Sequence, residues 1–428
     1  MFLVPRTPRI GPFARIPSVL ALLLLLAGAG VAGGSTPRGT SDAGLRGLWV
    51  VRTSLTSPQA IARLVTQARS AGVTALFVQV RGRGDAYYAN GIEPRAASLR
   101  DAPPGFDPLA SVLAAARPAG LEVHAWINVN LAAPASGRLP AGNVLARHPE
   151  WAMVPRALMA PAPRGRARAR RPDLARLVSW TRSESATVEG LFTSVIHPDA
   201  ANHTVAVITD IARRYAVDGI HLDYLRYPRD DFDYGPEALR AFRESVLADI
   251  APTERARLDA RLAAEPLLYT DAFPQRWAAF RRSRLTALVM RVRTAVREVR
   301  PGAALSAAVY PDSEEAATRK LQDWATWAQQ GLLDALCPMA YTTDDRVFAT
   351  QVAEAVRIGL PARIWAGIGT YKVPARQAAE QTRAARAAGA HGFVLFSYDS
   401  MMATPGGVAG YFVELNRAAA RDGAPSRR

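Results

Sequence analysis

Between residues 46 and 398 the chain alternates eight times between two kinds of segment. One is a short run rich in β-branched and aromatic residues; the other is a longer stretch with apolar residues at helical spacing. The β-rich runs fall at 46–52, 74–81, 122–130, 219–227, 304–310, 335–341, 363–370 and 392–398. Helical patterns occupy 58–71, 108–119, 200–215, 274–299, 320–330, 348–358 and 375–388. In the first of them Ile61, Leu64, Val65 and Ala68 share one face. Eight strands, each followed by helix, predict a (β/α)8 TIM barrel in a single domain, α/β in class, spanning 45–417. The rival, a doubly wound open sheet, ordinarily carries a Gly-rich phosphate turn after its first strand. Arg52-Thr53-Ser54-Leu55 stands there instead.

The ends of the chain read differently. Arg6, Arg9 and Arg15 precede the apolar run Val19–Ala27, and small residues dominate from Gly28 to Ser35. That order is the anatomy of a signal peptide over 1–34, followed by a linker at 35–44. The run is short of the roughly 20 residues of a membrane span, so no stable span is expected after cleavage; an uncleaved anchor is the alternative. The chain is therefore expected to be secreted or periplasmic. Residues 418–428 read as a disordered basic tail. The net charge of +16 comes almost wholly from arginine, since lysine occurs only at Lys320 and Lys372. Loss of three arginines with the leader leaves +13, a surface suited to anionic envelope polymers. No nucleic-acid motif accompanies the charge, so nucleic acid is not expected as a partner. The single cysteine, Cys337, excludes a disulfide framework. No metal-ligand pattern is present, and no cofactor is expected. The oligomeric state is left open.

In such barrels reacting groups sit at the C-terminal strand ends, and strand side chains alternate faces. Val123, Ala125 and Ile127 should face the helices, leaving His124, Trp126 and Asn128 to look toward the mouth. The same parity turns His221 and Asp223 inward from the fourth run, Gln79 and Arg81 from the second, and Tyr310 and Asp312 from the fifth. Polar groups gathered at one end of a barrel cost stability unless satisfied, which argues for a site. Asp223 is the strongest candidate, because an unpaired carboxylate there is expensive.

Longer runs carry a resemblance. Tyr88-Ala89-Asn90-Gly91-Ile92-Glu93-Pro94, Gly105-Phe106-Asp107-Pro108-Leu109 and Gly120 through Asn128, containing HAWIN, resemble the glycosyl-hydrolase-like family 10 proteins. So do His148-Pro149-Glu150-Trp151, the block Val217 to Pro228 (VDGIHLDYLRYP), Gln322-Asp323-Trp324 and Gly392 through Tyr398. The resemblance spans roughly 45–415. It implies an exported bacterial (β/α)8 barrel that hydrolyses glycosidic bonds of an envelope or extracellular polysaccharide.

Glycoside cleavage needs two carboxyl groups flanking the bond. The resemblance to sugar-cleaving barrels implies Asp223 as nucleophile or base. For its partner, Asp344 and Asp345 after the sixth run rank first, ahead of Asp312, Glu314, Glu93 and Asp399. The expected sugar-binding set adds Gln79, Arg81, Glu93, His124, Trp126, Asn128 and His221. Tyr224, Arg226, Tyr310, Asp312, Tyr341, Trp365 and Tyr398 complete it, with the aromatics as stacking surfaces. A non-catalytic carbohydrate-binding barrel is the alternative. It gains if every other carboxylate is remote from Asp223 or paired to arginine. An Arg-rich insertion after the third strand, 155–176, breaks the alternation and is expected either to be a solvated loop or to hold an acidic glycan.

Overall fold

A computed structural model describes residues 44–135, 139–140, 142–159 and 173–421, with the side chains of 419–421 omitted. The expected leader, most of the linker, the centre of the Arg-rich insertion and the end of the tail lie outside the described residues.

Eight parallel strands close a barrel. They are β1 (Leu45–Val50), β2 (Ala75–Arg81), β3 (Glu122–Asn128), β6 (Gly219–Asp223), β7 (Ala304–Val309), β8 (Ala335–Pro338), β9 (Arg363–Gly369) and β10 (Gly392–Phe396). Neighbours follow in chain order and β10 pairs with β1. Two further strands, β4 (Leu131–Pro134) and β5 (Gly190–Phe192), form a separate antiparallel ribbon in the excursion after β3. The alternation of side chains explains the two-layer core. Val123, Ala125 and Ile127 pack outward with the helices. Trp49, Phe77, Trp126, Cys337 and Trp365 fill the inside. Each fully buried aliphatic contributes about 1.5–3 kcal/mol.

The helices form where the spacing places them. Pro58–Ser70 begins with proline at its first position, capped by Ser57 Oγ accepting from the Ala60 N–H at 3.2 Å, and buries Ile61, Leu64, Val65 and Ala68. Pro274–Val299 is a single 26-residue helix. The final helix, Gly407–Arg421, runs four residues past the expected end of the barrel at 417. None of the described helices is long and apolar enough to cross a membrane.

Seven of the eight barrel strands end earlier than the β-rich runs suggest, and one of these early ends places a carboxylate at the rim. The run 219–227 reads as one strand, but β6 stops at Asp223 because Tyr224 adopts φ +50°. The carboxylate therefore stands at the strand terminus, and Tyr224 to Tyr227 belong to the turn beyond it. At the other end of β6, a Cβ on Gly219 would collide with the ring of His124, so only glycine lets that histidine into the barrel.

Candidate active site

The register divides the inward residues into levels. His124 pairs with Gly219, Trp126 with His221, and Asn128 with Asp223. Only the last pair lies at the C-terminal end, where Asp223 is 9% exposed. Its Oδ2 accepts from the Trp126 indole N–H at 3.1 Å, and its Oδ1 accepts from the Tyr224 backbone N–H at 2.6 Å. Among the described residues it forms no ion pair. Burial pushes its carboxyl above the ordinary aspartate range; nearby Arg226 and the two N–H donors oppose that rise, and Glu189 adds to it.

Arg226 lies in this turn, three residues beyond Asp223, and is 5% exposed. Its guanidinium lies 4.2 Å from the Tyr224 ring and 5.5 Å from the Tyr310 ring. Its Nη2 reaches Glu189 Oε1 at 2.8 Å. Lys320 occupies another side of Tyr310, 5.2 Å from the ring, and donates to the Pro228 carbonyl at 2.6 Å. Burial, with Arg226 beside it, lowers the Lys320 ammonium below its usual range.

The ribbon brings Glu189 here. Glu189 immediately precedes β5, whose Gly190 pairs with Pro134 of β4; a Cβ on Gly190 would strike the Ala133 carbonyl oxygen. Beyond β3, Val129 and Asn130 donate backbone N–H bonds to the carbonyls of Asp223 and Tyr224. The Asn130 side chain donates to the Arg226 carbonyl at 3.1 Å, and its backbone carbonyl accepts from Thr193 just past β5. Strand end, turn and ribbon are thus fastened together. No motif surrounds Glu189 in the sequence, and the short β5 run has no strong pattern.

Several expected site residues serve the scaffold instead. A bulge in β2 shifts the register so that Gln79 pairs with Trp126 but Arg81 pairs with outward-facing Ile127. The extra residue reverses the parity and turns Arg81 out of the barrel. There its guanidinium takes both oxygens of Glu93, each at 2.6 Å, and donates to the carbonyls of Asn128 and Val129. Glu93 also meets His203 Nε2 at 3.1 Å. Both members of this pair are buried and engaged, so neither is free to meet a sugar. Burial alone would raise the Glu93 carboxyl, but Arg81 and His203 bring it down to about 2.

His221 is fully buried in the middle level. Its Nε2 accepts from the Trp49 indole N–H at 3.1 Å, so the neutral ring carries its proton on Nδ1 and donates to Ser306 Oγ at 2.9 Å. Burial lowers its pKa well below the ordinary value. His124 lies at the end of the barrel away from Asp223, stacked on Phe77 at 4.5 Å, and Trp365 packs edge-on against both rings. Tyr398 turns outward and donates to Gln67 on the Pro58–Ser70 helix at 2.8 Å. Asp312 caps the Ser313–Arg319 helix. Asp344 caps Asp345–Gly359, accepting from the N–H groups of Arg346 and Val347. Asp345 accepts from the Gln377 and Gln381 amides at 2.9 and 3.0 Å. Asp399 is taken up by Val51 N–H, Ser54 and Thr53.

The remaining expected residues do gather near Asp223. Gln79 bonds to Asn128 at 3.2 Å and accepts from Arg52, bracing the rim. Tyr224, Arg226 and Tyr310 surround the turn. Tyr341 stacks on Phe396 at 5.5 Å, and Tyr371, 53% exposed, stands edge-on to both. Among the described residues no group of three His, Cys, Asp or Glu side chains could hold a metal ion.

The family model described as glycosyl hydrolase-like 10 matches residues 44–384. Glycosyl hydrolase DigH of Escherichia coli K12 is 23% identical over 388 residues, covering 79% of this chain and 77% of that protein. Glycosyl hydrolase YngK of Bacillus subtilis is 22% identical over 39% of this chain and 28% of its own. Among solved structures, the PgaB (BpsB) glycoside hydrolase domain from Bordetella bronchiseptica superposes with a TM-score of 0.59 at 17% identity, covering 86% of this chain and 98% of that one. An α-L-fucosidase from Paenibacillus thiaminolyticus gives 0.56 at 16% identity, over 88% of this chain and 49% of its own. These structural likenesses establish the barrel fold.

Proposed function

The chain belongs to the glycosyl hydrolase-like 10 family, and from that premise we propose that it is an exported glycoside hydrolase. Its substrate in this reading is a bacterial envelope or extracellular polysaccharide, anionic polymers included, and its chemistry is two-carboxylate acid/base catalysis. One observation carries the reading: Asp223 stands at a barrel strand end with no ion pair among the described residues, beside an indole, in surroundings that favour holding a proton. That is the setting of a carboxyl that exchanges protons with a reacting oxygen. It favours the donor role for Asp223 over the nucleophile or base role implied by the resemblance. The partly buried rings of Tyr341 and Phe396 and the exposed ring of Tyr371 offer apolar faces on which pyranose rings stack. The arginines before the apolar run 19–27 support export to the periplasm or beyond.

The test is incubation of the purified protein with a panel of envelope glycans beside an Asp223→Asn variant, following new reducing ends. Cleavage by the parent chain and loss in the variant are expected. Full activity in the variant would remove Asp223 from the chemistry. A second reading, a barrel that binds sugars without cutting them, draws on the placement of the other carboxylates. Asp344 and Asp345 are engaged on their helix, and Glu189 is paired with Arg226. Saturable glycan binding with no reducing ends released would favour it.

A further inference from the structure

Glu93, Asp312, Asp344, Asp345 and Asp399 each accept hydrogen bonds from the scaffold, and the ribbon supplies a further candidate. We infer that Glu189, carried beside the β6 turn by the β4–β5 ribbon, is the second carboxylate of the site and accepts the proton of the attacking water, while Asp223 donates to the leaving oxygen. This inference rests on the glycosidase reading above.

Three observations support it. First, Glu189 is built into place: Arg226, itself buried between two tyrosine rings, grips Oε1 at 2.8 Å, while Oε2 is buried with no hydrogen-bond partner among the described residues. One oxygen fixes the carboxylate and the other is left over. A glutamate serving only as a counter-ion would more economically present both oxygens to the guanidinium, as Glu93 does to Arg81. Second, Glu189 is electrostatically in touch with the site. Its charge acts on Asp223, Tyr224, Tyr310 and Lys320. Third, the two carboxyls differ in the way acid and base must. Asp223 is enclosed against Trp126, whereas the Glu189 side chain is 34% exposed and held by a cation.

The step balances. The glycosidic C–O bond breaks with its electron pair on the leaving oxygen, which takes the Asp223 proton. The water oxygen bonds to the anomeric carbon, and the water proton passes to Glu189. A proton then returns through solvent from Glu189 to Asp223, restoring both groups.

The experiment separates the two roles with leaving groups of different quality. Glu189→Gln and Asp223→Asn are made in the full chain. Each is assayed on envelope glycans and on 2,4-dinitrophenyl β-glycosides of glucose, galactose and N-acetylglucosamine, whose phenolate leaves without a proton. Each variant is expected to lose about 10²–10⁴-fold in kcat/KM on glycans. The dinitrophenyl substrates should restore Asp223→Asn and leave Glu189→Gln impaired. The thermal transition of Glu189→Gln should match the parent's. Parent-like activity in Glu189→Gln beside an inactive Asp223→Asn overturns this inference and leaves the proposed function standing. Rescue of Glu189→Gln but not Asp223→Asn overturns the assignment of roles. A parent protein that cleaves neither glycans nor aryl glycosides removes the glycosidase reading, and this inference with it.

Discussion

The indole N–H of Trp126 ends 3.1 Å from Oδ2 of Asp223, joining adjacent barrel strands through one hydrogen bond at the mouth. Trp126 favours the ionised form of that carboxyl. Replacement by phenylalanine keeps the ring and removes the donor. The alkaline limb of kcat/KM, governed by Asp223 as proton donor, should move to higher pH in Trp126→Phe. Activity at neutral pH should rise, by up to about tenfold for each pH unit the limb moves. A pH–rate profile measures both.

The Arg81–Glu93 pair should behave as scaffold. Glu93→Gln leaves a buried guanidinium without its counter-charge, a loss of about 3–5 kcal/mol. Urea denaturation near pH 7 reads it. The Glu93 carboxyl sits at about 2 in the folded chain against an ordinary 4.5. Its contribution is therefore full above pH 4.5 and declines as pH falls toward 2. The variant should lack that decline.

Asp233 should act in the opposite direction. It is buried, and burial raises its carboxyl to about 7, against the opposing Ser194 hydroxyl and Arg281. The folded chain holds this proton more tightly than the unfolded chain does. Stability should therefore fall as pH climbs from about 4 to about 7, at up to ~1.4 kcal/mol per pH unit. Asp233→Asn should flatten that slope, visible as a smaller drop in Tm between pH 5 and pH 7.

Asp344 caps a helix, and its loss should register as a cap's loss. Asp344→Ala should cost about 0.5–2 kcal/mol. Its kcat/KM should stay within about twofold of the parent's. A loss of activity exceeding the loss of folded protein would return Asp344 to the chemistry.

The barrel was legible in the sequence because its two periodicities are local. Period-two runs and helical faces need no knowledge of partners, and Val123 to Asn128 sort inside from outside as the alternation requires. The inward parity of Asp223 was legible for the same reason. Depth along the strand was not. His124, His221 and Asp223 share a parity, yet only the register with β3 shows that the first two lie below the rim. Arg81 was misread because a single inserted residue in β2 inverts everything after it, and nothing in ALFVQVR marks the bulge. Asp344 and Asp345 were misread because a carboxylate after a strand can equally open the next helix. The position of Glu189 beside the β6 turn was not legible, because it depends on pairing between segments more than fifty residues apart.

The β4–β5 ribbon hydrogen-bonds to the barrel rim yet is not one of its staves. Lengthening, shortening or exchanging those few residues would reposition one acidic group relative to another while the eight-stranded wall stayed as it is. With Glu189 and Asp223 in the roles inferred above, a lineage built on this plan could retune the reach between them, and so the kind of linkage it accepts, by editing that two-stranded ribbon.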